Sequence, residues 1–217
     1  LFITFEGIEG CGKSTQAERL VARLREQKVP LVFTLEPGGT RVGKEIRRIL
    51  LDPKNQHLTP FAELLLYAAD RAQHVEEVIR PALDQRKWVL CDRYFDATTV
   101  YQGYVRGQDM SLVGILNEKA TRGIFPDLTF LLDCEVEIAL GRAIRRTETR
   151  FQAGQDRFER EKTDFHEAVR QGYLSLARDN PERFVVVDGK LAEDELEAII
   201  FQNVAPFVSK QSGLGVT

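Results

Sequence analysis

Eight residues near the start of the chain, Gly7-Ile8-Glu9-Gly10-Cys11-Gly12-Lys13-Ser14, keep the spacing G-x-x-x-x-G-K-[ST]. Glycines at these places let the backbone turn its N–H groups inward around phosphate oxygens, and a helix that begins there adds the positive end of its dipole. Lys13 can then reach β- and γ-phosphates while the Ser14 hydroxyl ligates Mg²⁺. The chemistry requires a strand before the loop and a helix after it. FITFE precedes it and the amphipathic STQAERLVARLREQ follows. Gly7 to Thr15 therefore read as a nucleoside-triphosphate phosphate cradle, in which Cys11 supplies its backbone N–H and its thiol is incidental.

A second group closes a later apolar run, Cys91-Asp92-Arg93-Tyr94. Asp92 is placed for the Mg²⁺ shell, and Arg93 offers a two-pronged fork to a second anion across from the cradle. A third lies at 142–160, RAIRRTETRFQAGQDRFER, with six Arg. A charge run is usually a solvated helix face. Phosphoryl transfer, however, depends on alignment, neutralisation of the transferred charge and exclusion of water. The Gly154-containing loop between two helical patterns is thus expected to be a mobile lid. A guanine switch would need an N-K-x-D-type reader after a late strand, where this chain has Asp188-Gly189-Lys190-Leu191.

The elements that must position these residues are short strands alternating with longer helical patterns. FITFE (2–6), LVFTL (31–35), WVLCD (88–92), LTFLLD (128–133) and FVVVD (184–188) read as strands, near-continuously apolar as buried central strands should be. Helical patterns occupy about 14–27, 41–51, 60–85, 111–122, 135–146, 158–178 and 192–208, the third capped by Thr59 with Pro60 in its first position. The alternation predicts an α/β, three-layer P-loop NTPase fold: a five-stranded parallel sheet, helices on both faces, and the lid. Residues 1–209 read as one domain, 210–217 as a loose tail.

Composition fits that picture. The chain has 217 residues and 30 Lys+Arg against 33 Asp+Glu, a net charge of −3 that discourages nucleic acid as a partner. Of those cations 21 are Arg, the better fork for phosphate and carboxylate; those at 19–25 and 47–48 read as solvated. The longest apolar run, LLLYAA, is too short to span a membrane. The opening LFITFEGIEG lacks the basic stretch of a secretory signal. Three widely spaced Cys suggest neither disulfides nor a zinc site, so a cytoplasmic protein is expected. His57, His74 and His166 are scattered and read as structural or surface.

Taken together, GIEGCGKST, LEPGGT (35–40), AADRAQH (68–74), DRYFDATTVYQG (92–103) and the Arg-rich stretch before Asp156-Arg157-Phe158-Glu159 resemble bacterial thymidylate kinase, in that family's order and over nearly the whole chain. The resemblance implies transfer of the ATP γ-phosphoryl to dTMP, with Mg²⁺, in dTTP synthesis, by a homodimer packed through long helices. Arg93 would hold the acceptor phosphate and Arg71 would bond the thymine carbonyl. Tyr67, where the family usually has Phe, would stack on the base. Thr98, with Gln102 close by, would meet the thymine edge, and Tyr101 would crowd the sugar's 2′ side. Glu9 would meet the 3′-hydroxyl, and Glu36 the acceptor or its metal. No general base is required, because the acceptor is already a phosphate.

One form of the family carries its catalytic Arg in the P-loop, where this chain has Gly10; the other supplies it from the lid, and this chain resembles the second. Arg146 is the first choice for that arginine and Arg150 the second, with Arg142 against the adenine or phosphates of ATP. The rivals are a P-loop kinase for another nucleotide or a deoxynucleoside, and a P-loop switch or binding module. Arg146→Ala is expected to lower kcat by roughly 10²-fold or more, within the range that arginine fingers supply. Unchanged turnover in Arg146→Ala, with Arg150→Ala impaired, moves the role to Arg150.

Overall fold

The five apolar runs form five strands with the predicted bounds: β1 (Phe2–Glu6), β2 (Leu31–Leu35), β3 (Trp88–Asp92), β4 (Leu128–Asp133) and β5 (Phe184–Asp188). The structure is a computed structural model that describes residues 1–149, 157–158 and 161–213, without the side chains of 146–149 and 210–213. The strands make one parallel sheet in the order β2-β3-β1-β4-β5. β1 and β3 are covered on both faces and accordingly apolar along most of their length, whereas the edge strands β2 and β5 keep exposed positions.

The helices are α1 (Lys13–Glu26), α2 (Arg41–Leu51), α3 (Pro60–His74), α4 (Arg80–Asp84), α5 (Phe95–Thr98), α6 (Met110–Thr121), α7 (Val136–Thr149), α8 (Thr163–Asp179) and α9 (Glu193–Gly213). The Thr59 hydroxyl accepts from the Ala62 N–H and Pro60 starts α3, as expected. A π-helical segment, Val75–Ile79, joins α3 to α4 as one continuous rod. Three departures concern function. Residues 95–105, for which no helix was predicted, form α5 and a π-helical segment, Thr99–Val105. α8 begins at Thr163, not 158, with Arg157 and Phe158 in a turn before it. α9 runs to Gly213, into the stretch read as a tail.

Register converts sheet order into a site. Phe5 pairs with Asp92 and Asp92 with Leu35, so β1, β3 and β2 end in one row. The loops that follow, from Gly7, from Arg93 and from Glu36, leave the same edge side by side. β1 lies between β3 and β4, where the order reverses, and such a switch point is where open α/β sheets form their ligand crevice. Behind it, Leu20 and Leu24 of α1 are fully buried in the main core. Arg19, read as solvated, is tied to Glu193, Asp194 and Glu197 of α9, and Arg23 lies 3.7 Å over the Phe201 ring. Among the described residues no helix is long and apolar enough to cross a membrane.

Candidate functional site

The loop after β1 has the conformation its glycines permit. Gly7, Gly10 and Gly12 have φ of 140°, 77° and 100°, values that L side chains adopt only with strain. α1 starts at Gly12 without a side-chain cap, which leaves its first N–H groups for a ligand. A Cβ on Gly10 would lie 1.9 Å from the Ala139 carbonyl oxygen of α7, so the loop is seated against that helix. Lys13 folds back, Nζ donating to the Ile8 carbonyl at 3.1 Å. Ser14 Oγ donates to Asp92 Oδ2, while Asp92 Oδ1 is buried with no hydrogen-bond partner. Thr15 is exposed and Cys11 fully buried. Arg142 donates to the Gly189 carbonyl at 2.8 Å, beside the Cys11 backbone.

Arg93 occupies the left-handed region, φ 69°, and its amide donates to the Phe5 carbonyl at 3.0 Å. Its guanidinium therefore turns back over the end of β1. Nη2 donates to Glu9 Oε1 (2.7 Å) and the Tyr101 hydroxyl oxygen (3.2 Å), and Nη1 to the Tyr173 hydroxyl oxygen (3.1 Å). Three of its five N–H groups are thus committed, leaving two for an anion. The Tyr101 hydroxyl lies 2.8 and 2.9 Å from the two Glu9 oxygens. Burial works against the Glu9 charge, yet Arg93, with His166, Lys13 and Tyr101, holds its carboxyl well below the usual range.

Glu6 sits beneath this group, fully buried. The Tyr94 N–H and the Tyr173 hydroxyl each lie 2.7 Å from one of its oxygens. Burial, assisted by Asp96, pushes the Glu6 carboxyl up to about 8, against the opposing pull of Arg93, Tyr173 and the Tyr94 N–H. It is therefore protonated near neutrality. Asp96 forms a bidentate pair with Arg183 at 2.7 and 2.8 Å, fixing α5 to the start of β5.

The second side of the crevice centres on Arg71, 1% exposed. It donates to Glu36 Oε2 (2.9 Å), Asn117 Oδ1 (3.0 Å), the Tyr94 carbonyl (3.3 Å) and Thr98 Oγ1 (2.9 Å). The other Glu36 oxygen takes His74 Nδ1 at 2.8 Å, so Glu36 holds Arg71. Gln102 turns its amide to Glu63 at 2.9 Å. Tyr67 is half-buried among the partly buried core residues, its hydroxyl pushed up by burial.

The structure thus brings Glu9, Arg93 and Tyr101 together in one cluster and Glu36, Arg71 and Thr98 in another, with Ser14 and Asp92 paired beside the cradle. Arg150 lies outside the described residues, as does the Arg146 side chain and most of the lid. Of the lid, Arg157 is buried and pairs with Glu63, and Phe158 packs edge-on to Tyr101 at 5.5 Å. Four further residues join these clusters, Tyr173, Asn117, His166 and Arg47, none of them given a site role by the motifs. Arg47, expected to be solvated, donates to the Pro37 carbonyl at 2.8 Å. His166, read as structural or surface, is fully buried, with neither ring nitrogen hydrogen-bonded and Nδ1 3.5 Å from Glu9 Oε2. An unsatisfied buried group costs about 1–3 kcal/mol. One signal was available: 166, 169 and 173 share the inward face of α8.

A phosphate cradle at the switch point, faced by a carboxylate and an arginine from the next strand, defines a P-loop nucleotide-dependent phosphotransferase. The family model of thymidylate kinase matches residues 5–200. The thymidylate kinase of Geotalea uraniireducens (strain Rf4) is 53% identical over 199 residues, 92% of this chain and 93% of that protein. That of Geobacter sp. (strain M21) is 57% identical over 188 residues, 87% of this chain and 84% of that one. The crystal structure of thymidylate kinase from Ehrlichia chaffeensis superposes with a TM-score of 0.75 at 33% identity, covering 94% of this chain and 98% of the other. The chain belongs to the thymidylate kinase family. Its activity is that of an ATP-dependent dTMP kinase, phosphorylating dTMP to dTDP.

The buried Glu6 has a consequence for stability. Its folded-state value, about 8, is above the ordinary 4.5, so the folded chain holds a proton that the unfolded chain releases between those limits. Stability is therefore lost as pH rises through that window. Asp70, raised to about 6 chiefly by burial and Glu36, acts in the same sense at lower pH. Thermal melts of the wild type are expected to fall more steeply between about pH 5 and 8 than those of Glu6→Gln, whose amide stays neutral throughout. Parallel slopes would contradict a protonated Glu6.

Proposed function

We propose that phosphoryl transfer to dTMP runs on two anion sites at the carboxyl edge of the sheet. Lys13 and the N–H groups of the cradle hold the ATP phosphates; Arg93 holds the acceptor's monophosphate. The observation that carries this reading is the arrangement of Arg93, whose partners orient it while two N–H groups stay available. Arg71, fixed by Glu36, Asn117 and Thr98, presents its remaining N–H to the thymine carbonyl. Thr98 and Gln102 line the base edge, Tyr67 stacks on the ring, Tyr101 crowds the 2′ side and Glu9 takes the 3′-hydroxyl. Little covalent chemistry falls to the protein, so alignment and charge neutralisation supply the rate.

Mg²⁺ fits beside the cradle. Among the described residues no group of three or more His, Cys, Asp or Glu is placed to hold a metal. The Ser14 hydroxyl and the partnerless Asp92 Oδ1 are hard oxygen donors next to the phosphate site, suited to a cation that arrives with its nucleotide. When bound, Mg²⁺ neutralises charge on the β- and γ-oxygens. The lid supplies the remaining positive charge, through Arg146 or Arg150, with Arg142 on the donor. In support of a lid source, the Ala139 contact leaves no room for a side chain at position 10. The three free, buried cysteines suit a reducing cytoplasm.

The acceptor reading is tested by ATP consumption across dTMP, dUMP, CMP, AMP and thymidine. dTMP is expected to be fastest, and Arg93→Lys to raise the KM for dTMP by about tenfold or more through loss of the bidentate fork. A rate with any other acceptor equal to that with dTMP would overturn it.

A homodimer is proposed through α3 and its neighbours. Phe61 and Leu65, one turn apart on α3, are 49% and 42% exposed, and Ile115 on the adjoining α6 is 54% exposed. Clustered exposed apolar side chains mark an interaction surface. Sedimentation is expected to give twice the chain mass for the wild type and the single-chain mass for Leu65→Glu; a single-chain wild type would refute the dimer.

A further inference from the structure

We propose that Tyr173 and His166, two turns apart on one face of α8, are positioning residues for the acceptor-phosphate site: Tyr173 fixes the Arg93 guanidinium, and His166 receives the Glu9 carboxylate when an anion displaces it. The inference rests on the reading of Arg93 as the acceptor-phosphate ligand.

Two anions compete for one cation. Arg93 is already paired with Glu9 at 2.7 Å, and an incoming phosphate must compete with that carboxylate for the same guanidinium. A cation held on one side alone would swing with Glu9 and lose its aim. Tyr173 supplies the hold on the other side, its oxygen accepting from Nη1 at 3.1 Å. Tyr173 is itself braced at 2.7 Å by Glu6, which is bound to the Tyr94 N–H and so to the backbone that follows Arg93. The displaced carboxylate also needs a partner, since it is itself largely buried. The Tyr101 hydroxyl already touches both of its oxygens. His166 Nδ1 lies 3.5 Å from Oε2, and neither of its ring nitrogens has a hydrogen bond. A shift of Glu9 away from Arg93 closes that gap. A position that served packing alone would carry an apolar ring, as Phe165 beside it does.

The test is steady-state kinetics of the full chain with MgATP and dTMP varied independently, alongside thermal melts. Tyr173→Phe keeps the ring and removes the hydroxyl. It is expected to raise the KM for dTMP about tenfold, the equivalent of one hydrogen bond to a charged group, with the KM for ATP within twofold. His166→Phe is expected to raise the KM for dTMP by a similar factor without lowering the melting temperature. His166→Gln, which keeps a donor, is expected to restore most of the loss. A dTMP KM within twofold of the wild type in both Tyr173→Phe and His166→Phe, with Arg93→Lys impaired, overturns the proposal alone. An Arg93→Lys variant with unchanged dTMP KM overturns the acceptor reading, and the proposal with it. Equal loss toward both substrates in step with lost thermal stability assigns the two residues to packing and also overturns it.

Discussion

The arginine that follows β3 cannot be buried alone. Isolated charge in an apolar interior costs several kcal/mol even after relaxation, so Arg93 dictates what surrounds it. Glu9 comes from the cradle, Tyr101 from the π-helical segment after α5, and Tyr173 from α8 with Glu6 of β1 behind it. Four separate parts of the chain meet because one cation needs acceptors. The same requirement recurs at Arg71, which gathers Glu36, Asn117, Thr98 and the Tyr94 carbonyl. Each guanidinium ends with part of its fork satisfied by protein and part left over.

These two clusters share a brace. Tyr94 gives its N–H to Glu6, its carbonyl to Arg71 and its ring to Phe2 at 5.0 Å. The residue after Arg93 therefore links the Arg93 cluster to the Arg71 cluster. Asp96, two residues on, is fully buried and clamped by Arg183. Removing one partner of such a buried pair typically costs about 3–5 kcal/mol. The segment that follows Arg93 is thus held at its start, by Tyr94 and by Asp96.

The strands were legible because consecutive β-branched and aromatic residues bounded by Gly, Pro and Asp leave little choice, and the cradle because its glycines have no other use at that spacing. Residues 95–105 were not. Asp-Ala-Thr-Thr-Val carries three β-branched residues and a Gly follows, weak helix formers all; the segment is helical because Asp96, Thr98 and Tyr101 find buried partners, a tertiary cause. Arg93 was read from its place after an apolar run and Arg71 from the family resemblance, yet their partners Asn117 and Tyr173 sit mid-helix, where a polar residue on an inward face is easily taken for packing. Arg47 misled in the opposite direction. On α2 it looks like a solvated cation, and only the turn at Pro37 reveals what it touches.

The seating of Gly10 against Ala139 reaches beyond this chain's own catalysis. A side chain at position 10 would overlap the α7 backbone, with a gap of 1.9 Å where real contacts do not fall below 3.0 Å. Because α7 is also the stem from which the arginine-rich stretch departs, loop and stem are locked in shape. In a chain with this packing, no side chain enters position 10 by a single codon change unless the helix beside it moves. Such a change would require α7 to be displaced first, and that displacement would disturb the very helix that carries Arg142 and Arg146.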